Sequence, residues 1–200
     1  MTERVGILGG TFDPVHKAHL ELARAALEAF NLDEVLFVPT GLPVHKLGRT
    51  HASISDRLAM LKAALEGSPG FVLSTLEIER DAASYTIDTL RDVKQIYGQE
   101  SELFLILGED AARDLGNWKD SREIARLVTV LYARRPGAAA VSELPSGFVF
   151  FELDMPSLDI SSTAIREMLA NDEDVTAELP ADTLAYIREN QLYGCIERDL

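Results

Sequence analysis

The residues best suited to chemistry lie in one short stretch, GGTFDPVHKAHL, at residues 9–20. Gly9 and Gly10 follow an apolar run, and without a Cβ their backbone can approach a ligand closely. His16 and His19 are three residues apart at the start of a predicted helix, so their side chains share one face. This combination favours a phosphate-binding site, although the glycine spacing matches neither the dinucleotide fingerprint nor the P-loop. Two half-buried core histidines are the alternative, and a metal site lacks an evident third ligand.

A second stretch near the end of the chain has the same character. DISSTAIR, at residues 159–166, brings Ser161, Ser162 and Thr163 to the start of a predicted helix. Free N–H groups and the helix dipole favour an anion there, and Arg166 adds a fixed positive charge one turn later. A serine-capped helix with a solvated arginine is the alternative interpretation. Two helix starts of this kind, each after a predicted strand, favour a shared phosphate site.

The elements that must position these residues alternate along the chain. Strands are predicted at residues 4–10, 34–40, 71–79, 102–108, 128–135 and 148–154, and helices at 16–30, 53–67, 86–98, 161–170 and 180–190. Several strands are continuously apolar, which is typical of a parallel sheet covered on both faces. We therefore expect an α/β fold with a doubly wound, mainly parallel sheet. Ligands bind outside the carboxyl ends of such strands, where the turns after Leu8, Val38, Leu107 and Leu153 fall.

Composition limits the classes of function. The chain has 200 residues, 46% of them hydrophobic, and a formal net charge of −14. This charge argues against binding to a nucleic-acid backbone, which needs clustered Lys and Arg. We expect neither a secretory signal nor a membrane span, because no apolar run approaches roughly 20 residues. The single cysteine, Cys195, suits a reducing cytoplasm and is assigned no role beyond packing.

Both stretches resemble the signatures of a known superfamily. GGTFDPVHKAH resembles the (T/H)xGH motif of the adenylyl- and cytidylyltransferases, and ISSTAIR resembles their ISSTxxR motif. Within that superfamily the sequence is most similar to bacterial nicotinate-nucleotide adenylyltransferases. Further matching stretches occur in the same order along nearly the whole chain: PVHK (43–46), SYTIDTL (84–90), LILGEDA (105–111), Trp118, ARRPG (133–137) and YIRENQLY (186–193).

Three positions depart from the family pattern. Ala18 replaces the usual glycine between the histidines and leaves both of them in place. Ala82 stands where a glycine is usual, and Glu109 stands where a small residue is usual. Ala82 and Glu109 lie near the expected pyridine-nucleotide site and affect the details of nucleotide binding there.

The resemblance implies a Rossmann-like nucleotidyltransferase fold in one domain, residues 1–200, with the C-terminal helices (about 161–200) packed on it. It implies that ATP and nicotinate mononucleotide react to give nicotinate adenine dinucleotide and pyrophosphate in NAD biosynthesis. It assigns catalysis to His16, His19 and Arg166, and ATP binding to those residues with Gly9, Gly10, Thr11, Phe12, Ile160, Ser161, Ser162 and Thr163. Mg²⁺ is expected to be held mainly by the ATP phosphates.

The pyridine-nucleotide site is implied to comprise Lys46, Tyr85, Thr86, Gly108, Asp110, Trp118 and Arg134. Trp118 would stack on the pyridine ring, and Asp110 would bind a ribose or simply lie in the first turn of a helix. Lys46 and Arg134 are assigned to substrate phosphates, with solvated surface cations as the alternative. His45 and His51 are interpreted as bystanders. A homo-oligomer is compatible with the sequence.

Other functions stay open at this point. A related transferase would use a different acceptor, such as phosphopantetheine or an alkyl phosphate. A sensor on the same fold would bind the nucleotide without catalysis, although both motifs are intact. A fragment of a class I aminoacyl-tRNA synthetase is disfavoured by the short, acidic chain, which has no evident KMSKS-like loop.

Overall fold

The computed structural model describes residues 2–41, 51–80, 83–134, 144–155 and 159–195. These residues form a six-stranded parallel sheet in the order β3-β2-β1-β4-β5-β6. The strands are β1 (Arg4–Gly10), β2 (Glu34–Pro39), β3 (Phe71–Leu73), β4 (Glu102–Gly108), β5 (Val128–Ala133) and β6 (Phe150–Glu152). The doubly wound parallel sheet expected from the sequence is therefore confirmed.

Helices cover both faces of the sheet. They are α1 (Lys17–Ala29), α2 (Ile54–Leu65), α3 (Thr86–Tyr97), α4 (Glu109–Asp114), α5 (Ser121–Leu127), α6 (Ser162–Ala170) and α7 (Ala181–Glu189). Neighbouring strand residues such as Leu105 and Ile106 belong to opposite apolar cores, because successive side chains point to opposite faces. One core contains α1, α2, α6 and α7, and the other contains α3, α4 and α5.

Local sequence explains where several helices begin. Ser53 caps α2, and its hydroxyl accepts a hydrogen bond from the Asp56 N–H at 3.1 Å. Helix α6 begins after Ser161, whose hydroxyl accepts from the Ala164 N–H at 3.2 Å. In the described part of the chain, no helix is long and apolar enough to cross a bilayer.

The elements differ most from the sequence-based expectation in two places. The strand predicted at 71–79 ends at Leu73, because the next residues turn: the N–H groups of Ile78 and Glu79 both donate to the Thr75 carbonyl. Helices α4 and α5 were not predicted, since segments of six and seven residues are too short to show helical periodicity. Residues 134–147 are expected from their sequence to form a surface loop, and residues 135–143 of this stretch lie outside the described residues.

Candidate active site

A crevice forms where the two central strands separate. Strands β1 and β4 are paired only as far as Ile7 and Leu105, although β1 continues to Gly10 and β4 to Gly108. A Cβ added at Gly9 or Gly108 would meet only open space. The strand order also changes direction here, with β2 on one side of β1 and β4 on the other. Open α/β sheets bind their ligands at this position.

The turn after β1 is closely packed beside this crevice. A Cβ at Gly10 would lie 3.1 Å from the Phe12 ring, so a larger residue would displace that ring. Phe12 is fully buried, has a φ of 49°, and packs edge-on against His19 with 5.0 Å between ring centroids. Gly10 and Phe12 therefore set the path of the backbone between β1 and the histidines.

The two histidines form a stacked pair at the start of α1. Their ring centroids are 3.7 Å apart, which confirms that they share a face. His16 is the N-cap residue, and its backbone N–H donates to His19 Nδ1 at 3.3 Å. In neutral His19 the proton must then lie on Nε2, which becomes a hydrogen-bond donor. His16 is buried, and its Nδ1 has no partner among the described residues.

Burial keeps both imidazoles neutral at pH 7. It lowers the pKa of His16 to about 4. It also lowers the pKa of His19 well below its ordinary value, and the neighbouring His16 lowers it further. The pair can therefore offer neutral N–H donors to an anion without carrying a fixed charge.

The second motif contacts the first directly. Arg166 donates from Nη1 to the Asp13 carbonyl at 2.7 Å and from Nη2 to the Thr163 hydroxyl at 3.2 Å. The Ser162 hydroxyl donates to the Pro14 carbonyl at 2.9 Å. Ser161 and Thr163 are exposed, and Ile160 is half-buried, at the amino end of α6. Two stretches separated by about 150 residues therefore form one polar surface with exposed hydroxyls.

A third group of predicted residues meets on the side of the sheet covered by α3 and α5. Tyr85 is the N-cap residue of α3 and Thr86 is its first residue, as expected. The Lys119 ammonium lies 4.1 Å from the centre of the Tyr85 ring and 3.4 Å from Asp88 Oδ2. Trp118 therefore lies near the start of α3, since it immediately precedes Lys119. Trp118 is partly buried against the same apolar core as Tyr85.

Comparisons with known proteins show similarity over nearly the whole chain. Residues 7–168 match the cytidylyltransferase-like family. The chain is 40% identical to a probable nicotinate-nucleotide adenylyltransferase of Dehalococcoides mccartyi, over 95% of this chain and 97% of the relative. A probable nicotinate-nucleotide adenylyltransferase of Chromobacterium violaceum is 38% identical over 96% of this chain and all of the relative. The chain belongs to the nicotinate-nucleotide adenylyltransferase family.

A solved structure supports the fold of this adenylyltransferase. The nicotinic acid mononucleotide adenylyltransferase of Plasmodium falciparum, complexed with APC, superposes with a TM-score of 0.80 at 20% identity. The match covers 98% of this chain and all of the other. Members of the family are nucleotidyltransferases, so this chain is an enzyme of that class.

Three of the remaining predicted residues lie at or just after the carboxyl ends of β4 and β5. Gly108 is the exposed N-cap residue of α4, and Asp110 lies exposed in the first turn of that helix. Arg134 follows β5, and its Nη1 lies 3.7 Å from Glu152 Oε1. Glu109 is buried and pairs with Arg113 at 2.5 Å. Lys46, His45 and Ala82 lie outside the described residues.

Sequence reasoning missed three residues that support the turn after β1. Arg57, on α2, is buried and donates from Nη1 to the carbonyls of Thr11 and Thr40. The buried Asp13 carboxylate accepts from the N–H groups of residues 51 and 52 and from the Tyr193 hydroxyl. One signal was available: helical spacing places Arg57 on the same face as Met60, Leu61 and Ala64, where a solvated arginine would be unexpected.

The donor set limits how a divalent metal could be held. Among the described residues, no three His, Cys, Asp or Glu side chains cluster closely enough to bind a metal ion. Mg²⁺ characteristically keeps several waters and binds through substrate phosphates rather than in an all-protein cage.

Proposed function

We propose that this adenylyltransferase joins ATP to nicotinate mononucleotide, giving nicotinate adenine dinucleotide and pyrophosphate. The observation that carries the proposal is the contact between the two phosphate-suited motifs, through Arg166 and the Asp13 carbonyl at 2.7 Å. This contact lies beside the crevice between β1 and β4, so both motifs can act on one triphosphate. Membership in the family supports nicotinate mononucleotide as the acceptor. The reaction is then a step of NAD biosynthesis.

The reaction is a single displacement at phosphorus. A phosphate oxygen of nicotinate mononucleotide attacks the α-phosphorus of ATP, and a new P–O bond forms. The bond from the α-phosphorus to the bridging oxygen breaks, and its electrons leave with pyrophosphate. The attacking phosphate is already ionised at neutral pH, so no general base is required. The protein's contribution is alignment of the substrates and stabilisation of charge on the transferring group.

On the ATP side, the backbone N–H groups of Thr11 and Phe12 and the imidazoles of His16 and His19 bind the phosphates. The proton on His19 Nε2 suits it to donate to an oxygen on which charge develops. The leaving pyrophosphate is held by the amino end of α6, and Arg166 supplies a permanent positive charge there. The other residues of the ATP site are Gly9, Gly10, Ile160, Ser161, Ser162 and Thr163.

On the acceptor side, the Trp118 indole stacks on the pyridine ring. The nicotinate carboxylate accepts hydrogen bonds at the start of α3, where Tyr85 and Thr86 lie and negative charge is favoured. The proximity of Lys119 to Tyr85 supports this, because it adds positive charge to the same region. Gly108 allows close approach at the end of β4, and Asp110 accepts from a ribose hydroxyl. Lys46 and Arg134 bind substrate phosphates.

Mg²⁺ is the proposed metal. When bound with ATP it neutralises charge on the phosphate oxygens. His16 and His19 stack on each other and present nitrogen donors, so they bind phosphate oxygens. The metal would be bound by other phosphate oxygens and by water.

We further infer that residues 1–200 act as one domain, with the C-terminal helices packed on it. The side chains of α6 and α7 support this, because Ile165, Leu169, Leu184 and Ile187 share a core with the sheet residues Phe37 and Phe104. A cytoplasmic location, a homo-oligomeric state and the lack of nucleic-acid or membrane partners stay predictions.

The test is a coupled assay of pyrophosphate release from ATP and Mg²⁺, with the dinucleotide product identified by mass spectrometry. Nicotinate mononucleotide, nicotinamide mononucleotide, phosphopantetheine and no acceptor are compared. We expect fast release only with nicotinate mononucleotide. Equal or faster release with phosphopantetheine would identify a related transferase, and ATP binding without release would identify a sensor.

A further inference from the structure

The least expected side chain near the candidate site is the Arg57 guanidinium. Arg57 lies in the first turn of α2, is only 1% exposed, and is among the largest fully buried side chains of the described residues. Burying a cation is costly unless it is paired and hydrogen-bonded. Burial lowers the pKa of Arg57, and the nearby Asp13 carboxylate opposes that change. A residue with this cost is expected to have a role beyond filling space.

The guanidinium connects the turn after β1 to the end of β2. Arg57 Nη1 donates to the Thr11 carbonyl at 2.8 Å and to the Thr40 carbonyl at 3.0 Å. Thr40 in turn donates to the Gly10 carbonyl through its N–H at 2.9 Å and through its hydroxyl at 3.2 Å. Three carbonyl groups at the carboxyl ends of β1 and β2 are thus fixed by one network.

Fixing the Thr11 carbonyl also fixes the next N–H group. The peptide bond between Thr11 and Phe12 is trans, so its C=O and N–H point in opposite directions. Because the carbonyl points to the buried guanidinium, the Phe12 N–H points away from it. No hydrogen bond found among the described residues uses this N–H. The Phe12 φ of 49° lies in the left-handed region, which a phenylalanine adopts only when its surroundings hold it there.

We propose that Arg57 is a positioning residue that turns the Thr11–Phe12 peptide so that the Phe12 N–H donates to a phosphate of ATP. This inference rests on the proposed function, because it takes ATP as the ligand of the turn. Arg57 itself touches no substrate. A lysine at this position would keep the charge, but its Nζ lies one bond closer to the backbone than the arginine Nη1, so we expect it to fall short of the two carbonyls that Nη1 contacts.

The Asp13 carboxylate also stabilises the turn after β1, through hydrogen bonds that do not involve Arg57. It is buried and accepts from the His51 N–H at 2.8 Å, the Ala52 N–H at 3.1 Å and the Tyr193 hydroxyl at 2.7 Å. The Asp13 carbonyl is occupied by Arg166. Asp13, which follows the Thr11–Phe12 peptide, is therefore held through both its backbone carbonyl and its side chain.

The first test follows the Phe12 N–H directly. The chain has eight phenylalanines, so [15N]phenylalanine labelling gives few amide signals, and Phe12→Leu identifies the one from Phe12. We expect ATP with Mg²⁺, without acceptor, to move this signal strongly in the wild-type enzyme and much less in Arg57→Lys. If wild type binds ATP and the signal does not move, the inference is wrong. If wild type does not bind ATP, the proposed function is wrong.

The second test separates positioning from stability. Arg57→Lys and Arg57→Met are compared with Arg24→Met, which removes an exposed arginine of α1. Assays use folded protein isolated by size exclusion and kept well below its Tm. We expect the KM for ATP to rise about 10- to 100-fold in Arg57→Met, less in Arg57→Lys, and not at all in the control. A lower Tm with KM and kcat within twofold of wild type would overturn the inference. If Arg57→Met does not fold, the KM for ATP of Arg57→Lys and the shift of its Phe12 amide signal test the inference instead.

Discussion

Arg166 and Asp13 are joined by a 2.7 Å hydrogen bond from the arginine Nη1 to the aspartate carbonyl, although 153 residues separate them in the chain. This bond makes one site of two motifs, because Asp13 belongs to the turn that carries the histidines. Strand β1 supplies that turn, and helix α6 brings the arginine to it.

Replacing His19 with alanine should reduce turnover far more than it weakens ATP binding. His19 presents its Nε2–H where charge develops, and loss of one such donor typically costs about 2.7–4 kcal/mol, or roughly 10²- to 10³-fold in kcat. Steady-state kinetics and ATP titration measure the two effects. His51→Ala is the control, since only the backbone N–H of His51 contacts the turn. A near-normal kcat in folded His19→Ala would remove His19 from the reaction.

Replacing Arg166 should weaken the binding of ATP and pyrophosphate. Arg166→Ala loses a fixed charge and the bond to Asp13, so we expect a higher KM for ATP and weaker product inhibition by pyrophosphate. Arg166→Lys should recover part of this, because a lysine keeps the charge without the planar fork. Arg122→Ala, at an exposed position on α5, controls for lost surface charge. Unchanged pyrophosphate affinity in Arg166→Ala would contradict the role.

The single tryptophan allows an optical test of the acceptor site. Nicotinate mononucleotide should change Trp118 fluorescence, since the indole is expected to stack on the pyridine ring. Stacking of this kind is worth about 1–3 kcal/mol, so Trp118→Ala should raise the KM for the acceptor roughly 5- to 150-fold. Trp118→Phe keeps an aromatic ring and should lose less. If Trp118→Ala binds the acceptor normally, Trp118 serves only the core.

The low pKa of His16 makes stability depend on pH. Burial lowers it to about 4, against about 6.5 in an unfolded chain. Between these values only the unfolded chain binds the proton at this imidazole, so the free energy of unfolding falls as the pH drops from 6.5 toward 4, and His16 alone contributes about 3 kcal/mol to the loss. Urea unfolding of wild type and His16→Gln across this range measures the effect. The free energy of unfolding of His16→Gln should fall less over this pH range than that of the wild type. An equal fall in the two proteins would contradict the lowered pKa of His16.

The sequence predicted the elements that carry the site because their signals are local. Apolar runs predicted β1 and β4, and the apolar spacing after His16 predicted α1, whose bounds the structure reproduces closely. Both motifs were found because short spacings set which side chains share a helix face or a helix start. The contact between them depends on the order of strands in the sheet, which no short segment encodes.

The supporting network could not be predicted in the same way. Arg57 follows Asp56 in a helix with an ordinary sequence, and its role appears only through carbonyls of two other segments. Tyr193 reaches Asp13 across 180 residues, from a turn in which its φ is 59°. Helices α4 and α5 are short and are defined by the sheet they pack on. These features arise from tertiary contacts rather than from local pattern.

The central claim is that the enzyme transfers an adenylyl group to nicotinate mononucleotide and selects it by its carboxylate. The most direct measurement is kcat/KM for pyrophosphate release with nicotinate and nicotinamide mononucleotides under the same conditions. An amide lacks the negative charge favoured at the start of α3, so we predict a strong preference for the acid, accompanied by nicotinate adenine dinucleotide as the product. Equal kcat/KM values for the two acceptors would contradict the account.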